Sequence, residues 1–181
     1  MSYFSYSNNL LKSEGVEIQK IAEDRSTPFY CYSKKAITEN YNNFSNSFKN
    51  IDVKICFSLK SNSNLSILKI LSNLGAGADV VSEGELKKAL KANIEANNIV
   101  FSGVGKTEEE ISFAIKNHCL QINVESLSEL NRVNTIAGNI GNKQKVALRI
   151  NPDVDPNTHG KITTGKSENK FGISVKDAFD I

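Results

Sequence analysis

The sequence predicts an α/β fold, an incomplete TIM-type (β/α) barrel of about five parallel strands with their helices. Three observations predict it. Strand-like runs alternate with helical patterns, and their starts are little more than twenty residues apart, the length of one strand, one helix and two turns. Along each run, aliphatic side chains fall on one parity and small or polar ones on the other, as expected where helices cover a single face. After the first run stands "LKSNSN", which is neither a dinucleotide-binding glycine turn nor a P-loop, so a doubly wound nucleotide-binding sheet fits less well.

The elements follow in order. "VEIQKIAED" reads as a short helix, "PFYCYS" (28–33) as a strand, and Ser33 as the cap of a helix over 34–48. "VKICFSL" (53–59) opens the strand series: Val53, Ile55, Phe57 and Leu59 share one face, and Lys54, Cys56, Ser58 and Lys60 share the other. "NLSILKILSNLG" sets Leu65, Ile67, Leu68 and Leu71 at helical spacing and stops at Gly75, a suitable residue just past a helix end. The strands "ADVVS" (78–82), "NIVFS" (98–102), "LQINVE" (120–125) and "KVALRI" (145–150) come next. Three helices in this region open with capping boxes, Ser82 with Glu85, Thr107 with Glu110, and Ser126 with Glu129. In 120–125, Leu120, Ile122 and Val124 oppose Gln121, Asn123 and Glu125; in 145–151, Val146, Leu148 and Ile150 oppose Ala147, Arg149 and Asn151. "NPDVDPNTHGKITTGKSENKFG" (151–172) is a long polar connection without period, of the kind that usually carries function. "SVKDAFDI" begins one more helix, with Ser174 and Asp177 as its cap pair.

Composition narrows the function classes. The 181 residues suit one domain, or one and part of another. With 22 basic and 20 acidic residues, a net charge of +2 and no block of like charge, nothing favours nucleic acid or an anionic membrane as partner. No apolar stretch is long enough to span a bilayer and "MSYFSYSNNL" is not a signal peptide, so the cytoplasm is the expected location. Cys31, Cys56 and Cys119 are odd in number, widely spaced and free of C-x-x-C, which argues against a disulfide framework or a zinc site and for small buried hydrophobes. His118 reads as a helix C-terminal histidine, and with His159 as the second of only two histidines no metal site is expected.

Three polar residues stand out at strand C-termini, the end where barrels build their sites. Lys60 ends the first barrel-type strand on the inward parity. Partly desolvated there, it suits Schiff-base chemistry; it also reads as a lysine snorkelling to water. Asp79 interrupts "GADVVS" where an apolar residue is expected, and is either a partner for a cation or the cap of a local turn. Arg149, in "VALRINP", either faces the same mouth or is a surface guanidinium.

Together, "CFSLKSNSNLSILKILSNLGAGADVVSEGEL", "RSTPFYCYS" and "LRINPDVDPNTHGKITTGKSENKFGI" resemble the diaminopimelate decarboxylases, within the alanine-racemase-like, fold type III decarboxylases that use pyridoxal 5'-phosphate. The resemblance runs over essentially the whole chain, in order. It implies that Lys60 is the catalytic lysine joined to pyridoxal phosphate, that Asp79 and Arg149 line the cofactor pocket, and that "HGKITTGKSENKFG" lies near the site mouth. It implies decarboxylation of meso-2,6-diaminopimelate to L-lysine, a small amino-acid substrate, and a homodimer. It places residues 1–33 in a β-rich second domain and 34–181 in the first part of the pyridoxal-phosphate-binding barrel. Lys60-Ser61-Asn62 replaces the family's usual Lys-Ala-Asn. The likeness covers roughly the first half of the family. The cofactor-stacking histidine, the phosphate-binding glycine turns, the acid that pairs with the pyridine nitrogen and the cysteine and tyrosine that meet substrate are therefore expected in the other half, and activity is expected only with it. The competing reading is a non-catalytic pyridoxal-phosphate-binding remnant, or a module that docks on a full-length homologue.

Overall fold

The computed structural model describes residues 3–154 and 171–179. Strands β1 (Phe4–Ser7), β2 (Leu10–Ser13) and β3 (Val16–Glu17) make a small antiparallel sheet in chain order. Helix α1 (Ile18–Asp24) follows, as its pattern predicts. The expected strand at 28–33 is not formed. Its alternation of aromatic and small residues suits a strand, but a strand needs a ladder partner, and none of the described residues pairs with it. Tyr30 and Tyr32 lie exposed instead, their rings stacked at 6.4 Å.

Helix α2 (Lys34–Asn46) begins where predicted, with Ser33 Oγ accepting from the Ala36 amide at 2.9 Å. The N-terminal sheet is tied to this helix. Glu14 Oε1 accepts from Ser33 Oγ at 2.7 Å and from the Lys35 amide at 2.9 Å, and Tyr3 donates to Glu39 at 2.8 Å.

From here strands and helices alternate: β4 (Cys56–Ser58), α3 (Leu65–Asn73), β5 (Gly77–Val80), α4 (Glu83–Lys91), β6 (Ile99–Phe101), α5 (Glu108–Lys116), β7 (Gln121–Val124), α6 (Leu127–Ile140) and β8 (Val146–Leu148). All four strand pairings are parallel, and the order in space is the order in sequence. That is the order of a barrel wall; a doubly wound sheet reverses direction at a switch point. The chain then makes a short parallel pair, β9 (Ile150–Asn151) with β10 (Ile173–Ser174), and ends its described part in α7 (Val175–Ala178). The first strand is shorter than its sequence pattern, and Val53 lies exposed ahead of it.

The core lies on one face only. Leu59, Ala78, Val80, Ile99, Phe101, Ile122 and Val124 pack there against Leu68, Leu86, Ile111, Ile115 and Val133 of the helices. Burying such side chains is worth roughly 1.5–3 kcal/mol each, so this seam dominates the stability of the α/β part. Helix α3 closes as Gly75 predicts. The Gly75 amide donates to Ser72 O at 2.9 Å and the Ala76 amide to Leu71 O at 3.0 Å, with Gly75 at φ 89°.

Candidate active site

Residues of one parity on neighbouring parallel strands share a face, and the register puts Ser58 beside Asp79. The face without helices therefore carries Ser58 and Asp79, then Ser102 just past β6, then Gln121 and Asn123 of β7, and Arg149 just past β8. Asp79 is half-buried, and both its oxygens are occupied: Ser58 Oγ donates to Oδ2 at 3.0 Å and Ser102 Oγ to Oδ1 at 2.5 Å. Behind Ser102 the donors continue in the same sense. Asn123 Nδ2 donates to Ser102 Oγ at 2.9 Å, and Gln121 Nε2 to Asn123 Oδ1 at 2.8 Å. Asp79 is thus the terminal acceptor of a row crossing strands β4 to β7, and not the cap of a turn.

Lys60 stands two residues beyond Ser58, in the turn 59–61 at the C-terminal end of β4. The turn is anchored by the Leu59 amide donating to Asp79 O at 3.0 Å and by Ser61 Oγ donating to Ser58 O at 2.7 Å. The lysine itself is exposed, not partly desolvated as the sequence led us to expect. It makes no ion pair with Asp79, whose carboxylate is already satisfied by two serines. Among the described residues its amine has no hydrogen-bond or ion-pair partner.

Arg149 is drawn to a different carboxylate. Its Nη1 lies 3.0 Å from Glu125 Oε1 and 3.3 Å from Oε2, and its guanidinium carbon sits 4.7 Å from the centre of the Phe171 ring. Glu125 Oε2 also accepts from the Gly172 amide at 3.1 Å. Neither Ser102 nor Glu125 stood out as a partner in the sequence. The signal was available in "NIVFS" and "LQINVE", where each ends a strand on the polar parity, but the partner is fixed by cross-strand register, which one strand does not show.

The remaining candidates are placed elsewhere. His118 sits just past α5 at φ 59°, exposed, with Nδ1 3.3 Å from Asn142 Nδ2. His159 and residues 155–170 of the long connection lie outside the described residues. Cys119 is buried, and burial pushes its thiol up to about 11. Cys31 and Cys56 are half-buried, and burial raises the Cys56 thiol as well, so neither Cys56 nor Cys119 is poised as a nucleophile. Among the described residues no cluster of His, Cys, Asp or Glu could hold a metal ion, and no helix is long and apolar enough to cross a membrane. A cavity of about 520 Å³ opens along the edge of β4, lined mainly by apolar side chains including Ile37, Phe44, Phe57 and Leu71. It reaches the polar row only at Ser58.

Residues 34–181 match the family described as pyridoxal-dependent decarboxylase, pyridoxal binding domain. A diaminopimelate decarboxylase of Haemophilus influenzae is 44% identical over 181 residues, all of this chain and 44% of its own length. One from Aquifex aeolicus is 44% identical over 176 residues, 97% of this chain and 41% of its own length. The chain thus spans less than half the length of these curated relatives. Among solved structures, a diaminopimelate decarboxylase from Helicobacter pylori complexed with L-lysine superposes with a TM-score of 0.87 at 46% identity, over 91% of this chain and 42% of that one. One from M. jannaschii, in co-complex with L-lysine, gives 0.88 at 38% identity, over 99% and 43%. A viral arginine decarboxylase, from Paramecium bursaria Chlorella virus, gives 0.73 at 23% identity, over 88% and 41%, and shares the fold.

Proposed function

The chain belongs to the pyridoxal-dependent decarboxylases, and on that premise we propose that it is the N-terminal part of an enzyme that decarboxylates meso-2,6-diaminopimelate to L-lysine. The observation that carries this reading is the place of Lys60: an amine without a partner among the described residues, at the C-terminal end of the first strand of a sequentially ordered parallel sheet. The names of the relatives and the L-lysine bound in two of the similar structures support the substrate. Because the chain spans less than half of those relatives, the complete reaction is assigned to the longer polypeptide.

The residues present suit pyridoxal phosphate. An aldehyde condenses with a primary amine, and Lys60 presents one at the strand end where barrels build their sites. A pocket wall needs polar groups held in place, and Asp79 is held in one orientation by Ser58 and Ser102. An anionic group needs donors, and the Arg149 guanidinium spends only Nη1 within the protein among the described residues. Pyridoxal phosphate, when bound, supplies the electron sink for the carbanion left as carbon dioxide departs. The protein's part is to hold, orient and desolvate around it.

We assign residues 34–181 to the cofactor-binding barrel and 1–33 to a second, β-rich domain. The division is supported by the family match beginning at residue 34 and by the separate antiparallel sheet before it. A homodimer and a cytoplasmic location belong to the same reading, the latter in keeping with three free cysteines. The test is to incubate the full-length protein with pyridoxal phosphate, reduce with borohydride and map the pyridoxyl group by peptide mass spectrometry. It is expected on Lys60, and Lys60→Ala should abolish both the label and the absorbance of the lysine-linked cofactor. A label on another lysine, or binding indifferent to Lys60→Ala, overturns the assignment.

A further inference from the structure

We propose that Glu125 is a positioning residue for Arg149, and that its one carboxylate couples that guanidinium to the return of the chain at Phe171 and Gly172. The inference rests on the cofactor reading above. Glu125 is the first residue after β7, and its side chain is only 6% exposed against 39% for Arg149. A buried carboxylate must be compensated, and this one is compensated from two directions: Arg149 Nη1 at 3.0 and 3.3 Å, and the Gly172 amide at 3.1 Å.

The guanidinium is held on an edge by Glu125 and on a face by the Phe171 ring, at 4.7 Å. The two contacts together restrain its rotation while leaving its other donors for a ligand. The backbone is engaged as well. The Ile173 amide donates to Arg149 O at 2.7 Å, and β10 pairs with β9 just beyond. Gly172 is required for this approach, since it lies at φ 82° and a Cβ there would stand 2.9 Å from Arg149 O.

Glu125 is in turn fixed from behind. Its amide donates to Glu129 Oε2 at 2.7 Å, and Glu129 Oε1 lies 2.9 Å from the buried Lys106 Nζ. Lys106 also donates to Asn123 O at 2.7 Å. Arg149 is therefore aimed by a carboxylate that cannot follow if the arginine swings away.

The discriminating variant is Glu125→Gln in the full-length protein. An amide carries no charge and has one acceptor oxygen, so it serves neither the guanidinium nor the Gly172 amide as the carboxylate does, and both contacts weaken. The pyridoxal phosphate dissociation constant is expected to rise about 10-fold, and the Gly172 amide to lose protection in hydrogen exchange. The absorbance of Lys60-linked cofactor should still be reached at saturation. Ser174→Ala is the control, because it weakens the same return of the chain through the cap of α7 while leaving the bonds of Glu125 and Arg149 in place. The proposal is overturned if Glu125→Gln leaves either the dissociation constant within twofold of the parent or the Gly172 amide protected. It is equally overturned if Ser174→Ala weakens cofactor binding as much as Glu125→Gln does. If instead the parent forms no lysine-linked cofactor, the functional reading and the cofactor-positioning role fall together. Gly172 exchange then still decides on its own whether the Glu125 carboxylate holds the returning chain.

Discussion

Glu14 shows how much a single side chain can organise. It lies at φ 52° beyond β2, and its carboxylate is a second cap for α2, joining the N-terminal sheet to the α/β part. The Lys35 amide, and after it the Ser33 hydroxyl, hold this carboxyl below its ordinary value of 4.5. A depressed folded-state value means that the contribution to stability is fully present above 4.5 and is lost as pH falls through the lowered value. We expect Glu14→Gln to melt at a lower temperature than the parent at neutral pH, and the difference to close as the solution is acidified below 4.5. A difference independent of pH would show that shape alone matters there. Sequence did not reveal Glu14, because its partners are 19 and 21 residues further on, beyond β3 and α1. Lys60, Asp79 and Arg149 were legible because each breaks an aliphatic pattern or ends a strand on the polar parity. Their partners were not: Ser102 and Glu125 meet them only through the register of neighbouring strands.

The helices were legible as elements because their caps are local. All three expected boxes have the Ser or Thr oxygen accepting from the amide three residues on. The return contact differs with backbone. Thr107, at φ −78°, receives Glu110 on its own amide, whereas Ser82 and Ser126, at φ −161° and −158°, are extended. Glu85 and Glu129 therefore reach one residue further back, to the amides of Val81 and Glu125. For α6 that step brings Glu129 inside, where it pairs with Lys106, the two side chains 8% and 1% exposed. Lys106 spends its three donors on Gly103 O, Asn123 O and Glu129. Breaking a buried pair from one side leaves an uncompensated charge and costs about 3–5 kcal/mol. We expect Lys106→Met to lose stability of that order in urea unfolding, and addition of Glu129→Gln to recover part of it. A loss below about 1 kcal/mol, the range of exposed pairs, would mean that water reaches the site.

At the scale of the molecule, strand order was readable in the sequence because consecutive β/α units have little choice: short connections and right-handed crossovers lay each new strand beside the last. Where the sheet stops is a different matter. Among the described residues, β4 and β8 of the five-stranded sheet each have a single strand neighbour. About eight strands close a barrel of this type. Unpaired strand edges recruit other strands unless charge or a covering element blunts them. Along β4 the edge is bordered by the apolar cavity of about 520 Å³, and the exposed rings of Phe44 and Tyr32 stand at its rim. Apolar surface and free backbone groups side by side favour association over solvation. We therefore expect the 181-residue chain to self-associate as its concentration rises in sedimentation velocity. Ile55→Lys, which places a charge in the cavity wall just ahead of β4, should shift that association to higher concentration while sparing the core built on β5 to β7. A monomer that stays monodisperse across the range, or association indifferent to Ile55→Lys, would mean that this edge is not what the chain uses to find a neighbour.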